Sequence, residues 1–305
     1  MSDLIAAEVR ETVGTLTLNR PKAINALNLE MIQALTRILR EWVDDDAVEQ
    51  IELRGAGERG FSAGADVREL AEALTSGGDW LDGLRQEYAL QELVDEYPKP
   101  ITSYLMGITM GGGLGLGAPA RRRLVDSTTT MAMPETKIGW FPDAGMMYFL
   151  SRAGAVGTHC ALTSATFNGG DAIAMGIADE SLDGEQPTPL HDAGWIQECY
   201  DTDDVIQIAQ NLESHSDPDA RIAARELRAR SPFAVHVAMR ALRSAEHLSH
   251  SEVLAQDLFL SAKVLPVDFA EGVRALLIDK DNTPEWRHER LEDVPQEMVD
   301  AVFQD

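Results

Sequence analysis

Cysteine and lysine are both scarce in this chain of 305 residues. The two cysteines, Cys160 and Cys199, are far apart and lack metal-ligand spacing, which disfavours a structural zinc site and leaves at most one disulfide. The basic residues are nearly all arginine, and they number 26 against 51 acidic residues. Because nucleic-acid binding needs a basic surface, this composition disfavours a nucleic-acid partner.

Long hydrophobic runs are also missing. No apolar stretch approaches the roughly 18–20 residues that span a bilayer, and the N-terminal residues lack the basic and apolar regions of a signal peptide. Hydrophobic residues make up 44% of the chain, the share typical of a globular protein with a sizeable core. These features predict a cytoplasmic protein that has no membrane partner.

Acidic residues are what the chain has in excess, giving a net charge of −25. Such a chain repels itself at low ionic strength, and salt screens that repulsion. The pattern predicts a halophilic protein. The alternative is an ordinary acidic protein whose stability depends little on molar salt.

The hydrophobic pattern divides the chain into two parts. A strand is predicted over Thr12–Asn19, and Asn28 is placed to cap a helix that runs to about Asp44. Further short strands and helices follow in a strand-strand-helix rhythm, unlike the strict alternation of a doubly wound sheet. A surface loop is predicted at 183–193. We therefore predict an α/β core over 1–200 and a helical region over 201–305, where Ser231 caps a helix that begins at Pro232.

The first glycine-rich stretch, Gly60–Gly64, matches the G-x-S-x-G pattern of serine hydrolases. That motif requires a strand that ends directly at its first glycine, whereas the predicted strand ends near Leu53. The match therefore makes Ser62 a weak candidate nucleophile. In the other interpretation, the glycines allow the backbone to approach a ligand closely.

The second glycine-rich stretch contains Gly111, Gly112 and Gly113, at a predicted junction of strand and helix. Residues 113–118 also satisfy a dinucleotide-binding pattern, but Pro119 leaves too little helix for that fold. Backbone N–H groups of the two glycine loops together would suit an oxyanion hole for an acyl group. The alternative is a pair of tight turns with no ligand.

Two carboxylates, Glu135 and Asp143, lie among apolar, proline and glycine residues. Desolvation in such surroundings raises a carboxyl pKa toward the range useful for acid–base chemistry. In so acidic a chain, the alternative of two solvated loop acids stays open.

At this point the residues resemble a known family. Glu58–Asp66, Met133–Glu135 and Glu271–Lys280 are similar to motifs of the crotonase (enoyl-CoA hydratase/isomerase) superfamily. Three strings further resemble its 3-hydroxyisobutyryl-CoA hydrolase branch, namely Gly107–Gly113, Ala132–Asp143 and Ile278–Trp286.

The resemblance implies a crotonase-like spiral of ββα units, a C-terminal helical region that often mediates trimers, and an acyl-CoA substrate. It implies that Ala65 and Gly112 supply the oxyanion-hole N–H groups, that Glu135 and Asp143 are catalytic, and that Glu87 belongs to the substrate site. It implies neither a metal nor a cofactor other than the CoA of the substrate. The remaining predicted substrate contacts are three loop glycines and three candidate cations for the CoA phosphates: Gly64, Gly111, Gly113, Arg20, Lys22 and Lys280.

The implied reaction is hydrolysis of 3-hydroxyisobutyryl-CoA, or a related short 3-hydroxyacyl-CoA, in valine breakdown. Hydratases resemble this chain but usually have a second glutamate where it has Gly115, and a glycine where it has Asp143. An enoyl-CoA hydratase or isomerase and a non-catalytic acyl-CoA-binding protein stay as alternatives. Met146 and Met147 replace glycines usual in the hydrolase branch, which puts the acyl group in question.

Overall fold

Two β-sheets organise the first two thirds of the chain in the computed structural model, which describes residues 3–304. The strands are β1 (Ile5–Arg10), β2 (Val13–Leu18), β3 (Gln50–Gly55), β4 (Ile101–Tyr104), β5 (Ile108–Met110), β6 (Arg122–Val125), β7 (Thr130–Ala132), β8 (Phe167–Asn168) and β9 (Glu180–Ser181). The larger sheet has the order β1-β2-β3-β4-β6-β9 and the smaller one the order β5-β7-β8. Only the β1–β2 and β7–β8 pairs are antiparallel.

The helices alternate with these strands up to β9, and after β9 the regular elements of the described residues are all helices. They are α1 (Leu29–Val43), α2 (Val67–Ser76), α3 (Trp80–Asp95), α4 (Gly112–Gly117), α5 (Met146–Arg152), α6 (Gly154–Thr163), α7 (Gly169–Ala174), α8 (Pro189–Asp192), α9 (Gly194–Cys199), α10 (Val205–Ser214), α11 (Pro218–Arg228), α12 (Pro232–Ala245), α13 (His250–Val273) and α14 (Gln296–Val302). A 3₁₀ turn spans Glu135–Ile138, and a π-helical turn spans Arg274–Ile278. None of the helices within residues 3–304 is both long and apolar enough to cross a bilayer.

The chain winds as a spiral of ββα units. β4 lies in the larger sheet, β5 in the smaller sheet, and α4 follows; β6, β7 and the 3₁₀ turn repeat the same sequence. The unit before them begins with β3, and its residues Gly60 and Ser62 bridge to Gly107 and Thr109 beside β5. Equivalent connections of successive units therefore lie side by side, which confirms the predicted fold class.

Local sequence explains several boundaries. The Asn28 side chain accepts a hydrogen bond from Met31 N and begins α1, as predicted. Ser231 caps α12, with Pro232 in its first turn. Both cysteines are buried and free. The prediction of a loop over 183–193 is only partly correct. The short helix α8 lies within its second half.

The C-terminal helices pack onto the sheet core. α12 contacts α5 and α6, while α13 packs on α2, α3 and the 3₁₀ turn. From 201 onward the regular elements of the described residues are all helices, and a segment without helix or strand spans 279–290. The boundary near residue 200 stays a prediction, because a single core cluster includes residues from both sides of it.

Candidate active site

Connections of three successive spiral units line one cavity of about 200 Å³. The glycine loop after β3, the loop before α4 and the 3₁₀ turn all contribute to its wall, together with α3 and the π-helical turn. The lining residues are Ala63, Gly64, Ala65, Val67, Glu87, Gly111, Gly112, Pro134, Glu135, Lys137, Ile138, Trp140, Asp143, Leu276 and Leu277. Seven of the predicted site residues are thereby brought together: Ala65, Gly112, Glu135, Asp143, Glu87, Gly64 and Gly111.

The glycines permit the close approach of these loops. Gly111 has φ +50°, and a methyl group on it would lie 2.8 Å from Glu135 Oε1. Gly64 has φ +97°, and a methyl group there would lie 2.8 Å from the carbonyl oxygen of Met110. Any larger residue would both strain the backbone and separate the loops. Gly113, in contrast, packs against Ser62 and does not line the cavity.

Two backbone donors lie side by side at this junction. A methyl group on Gly112 would be 3.4 Å from Ala65 N, and one on Gly64 would be 3.2 Å from Gly112 N. Across the described part of the chain, neither the Ala65 N–H nor the Gly112 N–H donates a hydrogen bond. A pair of adjacent, unused N–H groups is what an oxyanion hole requires. Their predicted role stays a prediction that this geometry supports.

Glu135 begins the 3₁₀ turn and is only 5% exposed. Its Oε2 atom is buried and has no partner among the described residues. Burial raises the pKa of the Glu135 carboxyl well above its ordinary value, and the nearby Asp143 raises it further. Glu135 is therefore a basic carboxylate whenever it is ionised, and one of its oxygens is free to act.

Asp143 is 4% exposed and accepts a hydrogen bond of 2.5 Å from the Tyr88 hydroxyl. Burial raises the pKa of Asp143 to about 7, although the Tyr88 hydrogen bond acts in the opposite direction. The carboxyl can thus change its protonation state near neutral pH, which suits proton transfer.

Glu87 projects from α3 onto the second glycine loop. Its Oε1 atom occupies the space that a side chain at Gly112 would need, and it accepts a hydrogen bond of 3.4 Å from Gln91. Burial raises the pKa of Glu87 to about 8, and the charge of Asp143 contributes to the shift. Glu87 is protonated at neutral pH, so it can donate a hydrogen bond to an oxygen in the cavity.

These three carboxyls have no cationic partner. None of Glu87, Glu135 and Asp143 forms an ion pair with another described residue. Since like charges in a desolvated site oppose joint ionisation, the cluster retains protons at neutral pH. A mixture of protonated and ionised carboxyls provides both an acid and a base in one cavity.

Ser62 does not have the surroundings of a nucleophile. It is fully buried and does not line the cavity. Its hydroxyl donates to the carbonyl oxygen of Asn25 at 3.0 Å and accepts a hydrogen bond from Gly64 N at 3.2 Å. The side chain therefore holds the loop in shape, in agreement with the second interpretation of the motif.

The position of Gly115 leaves no room for a second catalytic glutamate. A methyl group on this residue would lie 2.5 Å from Ala144 Cβ and 2.6 Å from the Ala144 carbonyl oxygen. Met146 and Met147 are fully buried and do not line the cavity. The two methionine side chains therefore form no part of the cavity wall, which Asp143 lines on this side.

The three candidate cations lie outside the cavity wall. Arg20 pairs with Asp66 at 3.1 Å and donates to the carbonyl oxygen of Ala26 at 2.7 Å, so its guanidinium is already engaged. Lys22 and Lys280 form no ion pair within residues 3–304. Their role toward CoA stays a prediction.

Several residues of the site have no sequence signal of their own. Tyr88 could have been found only as the residue beside Glu87, and Leu276 and Leu277 lie in a motif that the sequence assigned to the C-terminal helix. Lys137 lines the cavity two residues after Glu135, and burial followed by the charge of Arg230 lowers its pKa. No group of three or more His, Cys, Asp or Glu side chains suited to a metal occurs in the part of the chain that the structure describes.

A model of the enoyl-CoA hydratase/isomerase family matches residues 13–193 and 180–303, which together are most of the chain. The chain belongs to this family. The glycine loops, the ββα spiral and the acidic cavity described above are therefore features of a crotonase-family enzyme.

Two curated relatives are named as 3-hydroxyisobutyryl-CoA hydrolases. The chain is 34% identical to the mitochondrial 3-hydroxyisobutyryl-CoA hydrolase of Danio rerio, over 95% of this chain and 86% of that protein. It is 32% identical to the probable 3-hydroxyisobutyryl-CoA hydrolase 3 of Arabidopsis thaliana, over 98% of this chain and 91% of that protein. Sequence similarity thus extends over nearly the whole length of each chain.

Two similar solved structures are named as a dehydratase and a hydratase. A carnitinyl-CoA dehydratase from Mycobacterium thermoresistibile superposes with a TM-score of 0.95 at 39% identity, covering 100% of this chain and 97% of that one. An enoyl-CoA hydratase from Rhodobacter sphaeroides superposes with a TM-score of 0.93 at 33% identity, covering 98% of this chain and 97% of that one. The two comparisons agree on the fold and differ in the reaction that they name.

Proposed function

We propose that this protein hydrolyses the thioester of 3-hydroxyisobutyryl-CoA, or of a closely related short 3-hydroxyacyl-CoA, as a step of valine breakdown. The observation that carries the proposal is the pair of buried carboxyls, Glu135 and Asp143, beside the unused N–H groups of Ala65 and Gly112. The named relatives among the hydrolases add support.

The thioester oxygen accepts hydrogen bonds from Ala65 and Gly112, so that charge developing on it is stabilised. In acyl-transfer enzymes one such donor is typically worth about 2.7–4 kcal/mol. Glu135 then acts in one of two ways. It attacks the carbonyl carbon and displaces CoA, giving a mixed anhydride that water hydrolyses to the free acid, or it takes a proton from a water molecule that attacks the same carbon and displaces CoA. Its unpartnered Oε2 atom is available for either role.

Asp143 transfers the proton that the CoA thiolate needs as it leaves. Its pKa of about 7 allows it to carry that proton and to release it again, while the Tyr88 hydroxyl keeps the carboxyl oriented. Glu87, protonated at neutral pH, donates a hydrogen bond to an oxygen of the substrate near Gly112. In these roles, Asp143 and Glu87 do not have to form an ion pair with a cation.

The experiment that tests this proposal is a thiol-release screen over a small acyl-CoA panel in molar salt. The panel holds 3-hydroxyisobutyryl-CoA, its isomer 3-hydroxybutyryl-CoA, isobutyryl-CoA and acetyl-CoA. We expect the highest kcat/KM for the first and a lower value for isobutyryl-CoA, which lacks the hydroxyl. Thiol release no faster than in buffer alone, from every member of the panel, would refute a hydrolase.

The second candidate is an enoyl-CoA hydratase, which the names of the similar solved structures favour. Against it stands Gly115, where a catalytic glutamate would overlap Ala144. An assay of crotonyl-CoA hydration distinguishes the two reactions. The hydration is measured as the loss of absorbance of the conjugated double bond. Hydration much faster than thioester cleavage by the same preparation would favour the hydratase.

A further inference from the structure

One face of α13 is polar although it is buried. His250, Asp257, Ser261 and Asp268 lie on this helix at spacings that place them on a common face, and all four are buried. An interior helix face normally carries apolar side chains, because a buried polar group without a partner is costly. We therefore asked which contacts compensate for the burial of these four polar side chains.

The polar face of α13 lies against the segment that carries Asp143. Trp140 Nε1 donates to Ser261 Oγ at 3.2 Å, and a methyl group on Gly139 would lie 2.6 Å from Asp268 Cβ. A side chain at Gly145 would overlap the imidazole of His250. The helix thus forms a support behind residues 139–145.

Asp257 holds the backbone two residues after Asp143 by a hydrogen bond. Its side chain is fully buried, and its Oδ2 atom accepts a hydrogen bond of 2.8 Å from Gly145 N. The second carboxyl oxygen, Oδ1, is buried without a partner in the described residues. A leucine has the same branched shape without that unpaired oxygen, so packing alone does not explain the carboxyl.

The turn that Asp257 holds is an unusual one. Ala144 has φ +58° and Gly145 has φ +73°, so two successive residues adopt the left-handed conformation, and Met146 N donates to the Asp143 carbonyl oxygen at 3.0 Å. For alanine this conformation is unfavourable and persists only where the surroundings enforce it. The hydrogen bond to Asp257 is such a constraint.

We propose that Asp257 is a positioning residue for Asp143: by holding the Gly145 N–H, it fixes the turn that directs the Asp143 carboxyl into the cavity. The inference rests on the proposed part of Asp143 in thioester hydrolysis. It adds a residue more than a hundred positions away in the sequence, on a helix outside the predicted α/β core.

The surroundings of Asp257 favour its neutral form over the carboxylate. Burial raises its pKa well above the ordinary value, and the charge of Asp143 raises it further. Tyr88 and Glu135 also interact with the charge of Asp257, and Asp268 and His250 lie on the same helix face, where Asp95 contacts His250 at 3.1 Å. Burial lowers the pKa of His250, which therefore supplies no positive charge at neutral pH. A neutral carboxyl still accepts from Gly145 N, so asparagine is its closest mimic.

The test compares Asp257→Asn with Asp257→Leu, and both with Asp171→Asn as a control. Asp171 is also buried, but it belongs to the capping box of α7 and does not line the cavity. We expect Asp257→Leu to lower kcat roughly tenfold to a hundredfold with KM nearly unchanged, and Asp257→Asn to restore kcat to within about threefold of wild type, with the same pH profile.

Amide hydrogen exchange of a peptide covering 143–147 provides a readout that does not depend on activity. We expect faster exchange at Gly145 in Asp257→Leu, and exchange as slow as in wild type for Asp257→Asn and Asp171→Asn. Should Asp257→Leu not fold, Asp257→Ser takes its place.

Two results would overturn the inference. Wild-type kcat and wild-type exchange in the leucine variant would show that the hydrogen bond positions nothing. An asparagine variant as impaired as the leucine variant would show that the charge, and not the acceptor, matters. If the wild type releases no thiol from any acyl-CoA, the proposed hydrolase fails, while the exchange measurement still decides whether Asp257 holds the turn.

Discussion

Acidic side chains occur in two opposite settings in this molecule, at the surface around Arg274 and in the cavity around Glu135. Arg274 forms ion pairs with Glu271, Asp279 and Asp281 at 2.7, 2.6 and 2.7 Å. The hydrogen bonds from Arg274 lower the pKa values of Glu271 and Asp281. In the cavity, burial raises the pKa of Glu135, which forms no ion pair with any residue of 3–304.

The comparison teaches that the large excess of acid in the chain says little about the site. The same residue types are held ionised at the surface and protonated in the interior, because solvent and arginine are present in one place and absent from the other. The chemistry of a carboxyl is set by what surrounds it, and the predictions below alter those surroundings one at a time.

The largest effect is expected from Glu135→Ala. Loss of the free carboxylate should lower kcat for thiol release by roughly 10²–10⁴-fold, the range typical for removal of a catalytic acid or base. The measurement is thiol release from 3-hydroxyisobutyryl-CoA with circular dichroism to check the fold. Ser62→Ala is the control: its kcat should stay close to wild type, whereas a nucleophilic serine would lose nearly all activity.

Gly111→Ala should have the next largest effect, because the added methyl group would press on Glu135 Oε1 in a left-handed turn. We expect kcat to fall by about 10²-fold, the size of a lost donor or a misplaced carboxyl. Gly77→Ala is the matched control, since Gly77 also has positive φ but its methyl group would meet open space. Equal activity of the two variants would contradict the close approach described for the loops.

Asp143→Asn should stabilise the protein at high pH. Because the folded state raises the pKa of Asp143 to about 7, the unfolded chain loses this proton first, and stability falls as pH rises from the ordinary value of 3.8 to about 7. Asparagine does not titrate and still accepts from Tyr88. The variant should gain on the order of 1–3 kcal/mol over wild type at about pH 8, and little at about pH 4.

Urea denaturation of both proteins at the two pH values measures this difference. The free energy of unfolding of the variant could instead exceed that of wild type by the same amount at both pH values, or by more at low pH. Either result would show that the folded state does not raise the pKa of Asp143.

Salt should change the repulsion among surface carboxylates and leave the electrostatics of the buried cavity nearly unchanged. Raising KCl from about 0.1 M to about 2 M screens the repulsion among surface carboxylates, so the melting temperature should rise by roughly 5 °C or more. The gain in Asp143→Asn should be the same at both salt concentrations, since the interior is screened little. A melting temperature that falls with KCl would argue against a halophilic protein.

Much of the fold could be predicted because local signals coincide with it. The cap at Asn28 and the apolar stripe behind it define α1, and Ser231-Pro232 begins α12. The strand Ile5–Arg10 was not predicted: five of its six residues are exposed, so it carries no alternating pattern and depends on pairing with β2. Helix Val67–Ser76 was missed because it directly follows the glycine loop.

The site was predictable only where a motif marks it. Glu135 and Asp143 lie in one string near proline and glycine, and both line the cavity. Tyr88 and Asp257 are single polar residues in helices, and what gives them a part in the site is a contact across 55 and 112 positions of sequence. Such contacts depend on how α3 and α13 pack, and no short window of sequence contains that information.

The end of α13 also has a consequence for engineering. Leu276 and Leu277 line the cavity from the π-helical turn, and Arg68 donates to the Leu277 carbonyl oxygen at 2.6 Å across 209 positions of sequence. A chimera that takes its C-terminal third from a relative would therefore exchange part of the pocket wall together with the helices. Recombination at this point is a route to changing the pocket wall that leaves Glu135 and Asp143 untouched.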